Sequence, residues 1–424
     1  MELPKSGELP RMANVRQLFP RDKLDDVEDV VRLGLRRARL GDRLKKGHRV
    51  GIAVGSRGAG GTLEALKGVI AEVKAGGGAP FIIPAMGSHG GATPEGQIGI
   101  LACFGITTEA LGVPIDARME TVVLGMGHNG YEAHYAAAAH EADAVIVLGR
   151  TTVHPNLKAG EKSDGVASGL LKMTMIGLGK QAGAQSAHHH GLELSLLQVP
   201  DLQLKEANIV AGVSIVENAY RQPYHVEVVA PEEFKACDQR QLQLAKPLVG
   251  QIPFDELDVL VTDWMGKDIA GSGLDPNVVG FWRFEGGPRV PNYRRIVSLD
   301  LTEASGGNAT GIGLNDFVTR RLVDKMSAHV TWMNMLTAAN KDGSTMEGYI
   351  PMVAETDREA IELALMSIMP SAAPRVCHIH DTSRLEEMMV SEALLPLARQ
   401  LPNLEVIGDP RPLPFDDQGR LQWL

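Results

Sequence analysis

Residues 48–61, "HRVGIAVGSRGAGG", decide the fold class. Val50 to Val54 present no charged or polar side chain, and the run passes directly into a glycine turn, as a strand buried on both faces does at the start of a βα unit. Residues 62–78, "TLEALKGVIAEVKAGGG", then place apolar side chains at helical spacing and end on glycines. The pattern repeats in "PFIIPAMGSHGGATPEG" (80–96): strand, glycine loop, helix start. "ETVVLGM" (120–126) and "ADAVIVLGRTTVHP" (142–155) read as two further strands, with the alanine-rich "YEAHYAAAAHEA" (131–142) as the helix between them. Nearly continuous apolar strands alternating with helices predict a parallel sheet covered on both faces.

Ligands of such sheets gather at the carboxyl ends of the strands. There the chain presents Ser56 and Arg57, then Ser88 and His89, then Arg150, Thr151, Thr152 and His154. Around residues 230–256 the pattern turns polar and helical, and "LDVLVTDWMGKDIAGSGLDPNVVG" (257–280) opens a new strand and a long glycine loop bearing Lys267, Asp268, Asp275 and Asn277. The second half continues with a strand at "RRIVSLDL", helices at "NDFVTRRLVDKM" and "TDREAIELALMSIM", a strand at "PRVCHIHD" and a helix through "RLEEMMVSEALLPLARQL". The expected architecture is α/β with two α/β domains, residues 1–250 and 251–424, mainly parallel sheets, and the active site in the inter-domain cleft. No repeat at a fixed period of 20 to 50 residues interrupts this reading.

Composition narrows the function classes. A 44% hydrophobic chain with 47 glycines and 4% aromatics describes a folded protein packed with aliphatic side chains. The net charge of −10 is spread along the chain without a basic stripe, which argues against nucleic acid and for a small-molecule ligand. Cys103, Cys237 and Cys377 are too far apart for a CxxC pair and suit a reducing compartment. No apolar run of about 18 residues and no signal-like start is present, so the expected location is the cytoplasm, away from the membrane.

Three features carry possible chemistry. His188, His189 and His190 cannot converge on one centre, because neighbours on a helix or strand point in different directions. At most one or two are ligands, and the run also suits a solvated helix end. His89, in "GSHGG" (87–91), and His154, before Pro155, are imidazoles at strand ends, where a proton can move near neutral pH. Lys172 follows "ASGL" and precedes "MTMIGL", which places it in the first turn of a helix. A lysine set against a helix dipole is either a surface group or a nucleophile for covalent attachment.

Taken in order, these residues resemble the nickel-dependent lactate racemase family. That family builds its site from a strand-end "GxHRP" loop, an "H…GxSGGxK" segment and a histidine sixteen residues after the lysine. "GSHGG" is similar to the first at His89, with Gly90 and Gly91 in place of arginine and proline. His154 with "ASGLLK" (167–172) is similar to the second, and His188 stands sixteen residues after Lys172. The family's strand-one "DDRTRP" corresponds to "GSRGAGG", with Ser56 and Arg57. The resemblance is clearest over residues 50–190.

The resemblance implies a 2-hydroxyacid racemase or epimerase. Its cofactor would be the nickel pincer nucleotide, a pyridinium-3,5-bisthiocarboxylic acid mononucleotide joined covalently to Lys172, beside Ser168 and Gly169. Nickel would be held through sulfur, carbon and sulfur, with His188 as the protein ligand; soft sulfur donors in a square plane suit that metal. His89 and His154 would be the bases for the two enantiomers. Ser56, Arg57 and Lys267 would bind the substrate, with Arg283 a further cation for its carboxylate. The implied partners are the small hydroxyacid and the enzymes that build the cofactor; whether a second copy of the chain joins as a homo-oligomer stays open. Two rival readings stay open: a non-catalytic nucleotide-binding protein on the same scaffold, and a hydrolase with zinc at the histidine triplet.

Overall fold

The computed structural model describes residues 9–56, 58, 60–127, 130–153, 167–285, 288–338, 345–368 and 373–423. Of the expected site residues, Arg57 and His154 lie outside them. Arg21–Val249, with the short stretch that begins at Leu336, form one compact unit; the chain up to Pro20 joins Gly250–Met335 and the C-terminal segment in another.

The chain opens with strand β1 (Met12–Gln17). The Arg21–Val249 unit follows, with β2 (Arg49–Val54), β3 (Ala79–Pro84), β4 (Thr121–Met126), β5 (Glu132–Ala136), β6 (Ala144–Arg150), β7 (Thr152–Val153), β8 (Ala167–Ser168), β9 (Ile209–Glu217) and β10 (Pro223–Val229). Its main sheet has the order β10-β9-β6-β2-β3, parallel from β9 to β3 and closed at one edge by antiparallel β10.

Both faces of this sheet are covered. Val50, Ile52 and Val54 of β2 pack with Val31 and Leu35 of helix Val27–Arg37 and with Leu66, Val69 and Val73 of helix Thr62–Ala75. Ala53 points the other way, into a second core with Ile83, Val147, Leu170, Leu178 and Phe234. Each large aliphatic side chain so buried contributes about 1.5–3 kcal/mol, which explains why β2 needs apolar residues on both faces.

The second unit adds β11 (Glu256–Met265), β12 (Asn292–Leu301), β13 (Phe317–Thr319), β14 (Met352–Ala354), β15 (Val376–Asp381), β16 (Arg384–Ser391) and β17 (Leu404–Arg411). Its eight strands run β14-β13-β12-β11-β15-β16-β1-β17, parallel from β14 to β15 and antiparallel beyond. The α/β class with mainly parallel sheets is therefore as expected. The expected 1–250 stretch differs at its start: β1 pairs with β16 and β17 and belongs to this second sheet.

Three expected helices are corrected. In "YEAHYAAAAHEA" the helix is confined to Ala137–His140, and the preceding residues form β5, antiparallel to β4 in a separate two-stranded sheet. The strand buries Ala133 and Tyr135, whose hydroxyl donates to Asn208 Oδ1 at 3.0 Å. Burying a tyrosine ring outweighs the fractions of a kcal/mol by which alanine favours helix. "RLEEMMVS" is strand β16, because the turn at Asp381 sends the chain back along β15. The Asp381 carboxylate accepts from Ser383 N, Ser383 Oγ and Arg384 Nε. "NDFVTRRLVDKM" begins as β13, and its helix starts only at Arg320, where Thr319 Oγ1 accepts from Leu322 N. Among the described residues, no helix is long and apolar enough to cross a membrane.

Candidate functional site

In the Arg21–Val249 unit the chain leaves β2 for β3 on one side and later returns to β6 on the other, so the carboxyl ends of β2 and β6 are a topological switch point. A cavity of about 110 Å³, open to solvent, lies there. Its wall takes Gly55 and Ser56 from the end of β2, Ala85, Met86 and His89 from the loop after β3, and Arg150 from the end of β6. The remaining wall is Ser168, Gly169, Lys172, Met173, Ile176 and Gly177. Ser56, His89, Ser168, Gly169 and Lys172 are thus brought to one cavity from separate stretches of sequence.

Lys172 is placed by a buried carboxylate. Helix Leu170–Lys172 begins at Gly169, and Asp238 on helix Phe234–Ala245 accepts from Leu170 N at 2.8 Å and Leu171 N at 2.9 Å. A Cβ on Gly169 would meet Asp238 Oδ1 at 2.2 Å, so only glycine admits this cap. Burial pushes the Asp238 carboxyl up to about 7 against the two amide donors and Thr151 Oγ1. Lys172 itself is half-buried and donates from Nζ to Ser168 Oγ at 3.3 Å. The helix then widens into a π turn over Met173–Gly177, with Leu178 N donating to Met173 O at 2.9 Å. Such turns recur at functional sites.

His89 stands on a loop whose glycines serve packing. Gly90 has φ +67, and a Cβ there would meet Gly96 C at 2.4 Å. The turn therefore lies backbone to backbone against helix Pro94–Ala102, and the close approach that Gly90 permits is to that helix. Gln97, fully buried on the helix, donates from Nε2 to Gly87 O at 2.9 Å and His89 O at 3.3 Å.

Arg150 is the cation at the cavity wall among the described residues other than Lys172 and His89. Its Nη1 donates to Glu217 Oε2 at 2.7 Å, and Glu217 Oε1 accepts from Gly60 N at 2.5 Å. Glu217, the last residue of β9, thus ties the β2 loop to β6. A carboxylate ending an apolar strand was the only sequence signal for it; nothing in the sequence marked Asp238 as a cap.

Other expected residues lie elsewhere. His188 and His189 end helix Lys180–His189, and His188 does not line the cavity. The rings of His189 and His190 meet edge to face at 5.0 Å. Among the described residues no group of three or more His, Cys, Asp or Glu could hold a metal by itself. A metal at His188 would need donors from a bound group. Lys267, in the other unit, donates from Nζ to Gly271 O and faces the half-buried Glu347, whose carboxyl is pushed up to about 7 by desolvation against the pull of Lys267. Arg283 is corrected as a substrate cation. Its guanidinium is buried, donates to Leu314 O, Tyr293 O and Arg294 O, and pairs with Asp316 at 2.9 Å, which makes it a structural clamp of its own unit.

Fold and site together define an α/β protein with a lysine-bearing crevice at the switch point of a parallel sheet. No protein-family model matches the chain, and no curated protein does. Solved structures similar to it include the lactate racemase apoprotein from Thermoanaerobacterium thermosaccharolyticum, at 12% identity and a TM-score of 0.43, covering 88% of this chain and 99% of that one.

Proposed function

We propose that the chain is an isomerase of small 2-hydroxyacids, a racemase or epimerase, that works with a nickel pincer nucleotide tethered to Lys172. The supporting observation is the meeting of Lys172, Ser168, His89 and Ser56 on one cavity wall at the sheet's switch point. The residues fit the tethered end of the group. The lysine is half-buried, its turn is clamped by Asp238, and its side chain lines a cavity open to solvent. The metal end would take its protein donor from His188, which stands outside the cavity lining.

When bound, the group supplies an electrophilic ring that takes up the substrate's α-hydrogen with its electron pair and gives it back to either face. The chain's own part is acid and base work. His89 accepts the hydroxyl proton of one enantiomer as its α-hydrogen leaves with the bonding electrons, and gives a proton to the ketone oxygen when hydride returns to that same face; His154 does so for the other enantiomer. Ser168 Oγ holds the Lys172 side chain toward the cavity. Arg150, with one Nη donor on Glu217, keeps further N–H groups for the substrate carboxylate, and Ser56 offers its hydroxyl beside it.

The test is the intact mass of protein made alongside the cofactor's biosynthetic enzymes, with peptide mapping around Lys172 and metal analysis. A pyridinium mononucleotide on Lys172 with nickel is expected; an unmodified lysine from such a host overturns the reading. His188→Ala should lose nickel and keep the organic adduct.

A further inference from the structure

Lys180 combines two costs at one residue. It has no solvent exposure, and its backbone has φ +55, the left-handed region that a lysine seldom adopts. Among the described residues no carboxylate forms an ion pair with it; Nζ donates to Pro84 O at 2.7 Å and to Gln97 Oε1 at 3.1 Å. A buried ammonium held by neutral oxygens is expensive, and an apolar side chain of equal length would fill the same space. Stability alone does not account for it.

Its contacts suggest what does. An ammonium only donates, so it must face the oxygen of the Gln97 amide. That choice turns the Gln97 nitrogen toward the loop after β3, where it donates to Gly87 O and His89 O. The charge on Nζ also polarises the amide and strengthens those two bonds. A neutral amine carries a lone pair and can accept from the amide nitrogen, so the orientation of Gln97 would no longer be dictated and the loop carbonyls would lose their donor.

We propose that Lys180 is a positioning residue for His89: its ammonium sets the Gln97 amide, and the amide holds the loop that carries His89 to the cavity wall. This rests on the reading of His89 as the acid–base group there. Burial lowers the Lys180 pKa from 10.5 to about 8, while Asp116 and Glu120 act in the opposite direction. Asp116 is itself bound by Arg118 at 2.8 Å, and His134, which packs near Gly183 on the same helix, pairs with Glu132 at 3.1 Å. Positioning should therefore fade as pH rises through about 8. Stability should move the other way. Between about 8 and 10.5 the unfolded chain holds the Lys180 proton more tightly than the folded one, so this group makes the fold more stable as pH rises. Loss of positioning is then separable from unfolding.

The experiment uses the full chain without cofactor, labelled with 13C at methionine methyls and at histidine Cε1. The Met86 and His89 signals are assigned by Met86→Leu and His89→Gln and followed from pH 6 to 10. Both signals should report a step near pH 8, distinct from the titration of the His89 ring itself, and Lys180→Met should abolish it. Gln97→Leu, which leaves Lys180 in place, should abolish it too and serves if Lys180→Met does not fold. Absence of the step in the wild type, or its persistence in folded Gln97→Leu, overturns the proposal. Because no cofactor is needed, this outcome is independent of whether Lys172 carries an adduct. In active enzyme, the same link predicts an alkaline fall in kcat near pH 8 that Gln97→Leu removes.

Discussion

The Asp238 carboxylate is buried among the described residues without a cation, yet it caps the turn that bears Lys172. Its pKa, raised from 3.8 to about 7, means that the folded state binds the proton more tightly than the unfolded chain. The resulting stabilisation is fully present below about 3.8 and is lost as pH rises through about 7. Asp238→Asn removes that titration and, with a single acceptor oxygen, leaves one of the Leu170 and Leu171 amides short of a partner, at about 1–3 kcal/mol. Urea denaturation should show the wild type's advantage over this variant shrinking between pH 4 and 8; a constant difference would mean that the carboxylate does not titrate in that window. At the reacting groups, His89→Ala and His154→Ala should each cost about 10²–10⁴ in turnover of loaded enzyme. Unchanged rates in both would remove the acid–base assignment.

Among the elements, the loop after β3 shows how packing sets a functional side chain. Gly90 and Gly91 both have positive φ, but only at Gly90 would a Cβ strike backbone, 2.4 Å from Gly96 C, while the space around Gly91 is open. Gly91→Ala should therefore cost only the local conformational strain, about 1–2 kcal/mol, with turnover nearly intact. Gly90→Ala should cost more and also displace His89, lowering turnover along with Tm. Parallel thermal melts and rates on the two variants distinguish these outcomes; equal losses in both would show that backbone strain, and not the contact with helix Pro94–Ala102, governs the loop. The helix at Thr62–Ala75 needs no such contact to be recognised, since Leu66, Val69 and Val73 recur at helical spacing and are all buried. The β4–β5 and β15–β16 hairpins do need it. The sequences of β5 and β16 favour helix locally, and pairing with β4 and β15 overrules that preference.

For the whole molecule, β1 makes the two units unequal in their dependence on the N-terminus. The described lining of the cavity comes wholly from Arg21–Val249, whereas β1 sits between β16 and β17 in the other sheet. A fragment of residues 21–249 should fold with a cooperative transition and still accept the adduct on Lys172. A fragment of residues 250–424 lacks β1, leaves two strand edges unpaired, and should be insoluble or aggregate unless residues 1–20 are supplied. Solubility and circular dichroism of the two fragments check this; a well-folded 250–424 fragment would show that β1 is dispensable.

Across these scales, the sequence by itself determined the parallel α/β class and the strand ends of β2, β3 and β6 that border the cavity, because buried strands and glycine turns are written in local hydrophobic pattern. It also marked Lys172 and His89, since strand ends and helix starts are local features. The tertiary structure decided the rest. Asp238 meets Leu170 from 68 residues away, Lys180 meets Pro84 from 96, and the Asp263 carboxylate accepts from His378, His380 and Trp423. The placement of β1 beside β16, and of β5 in a hairpin where alanines predicted a helix, has the same origin. Pattern and propensity act over a few neighbouring residues. The satisfaction of a buried charge or a strand edge depends on which distant segment the fold brings against it.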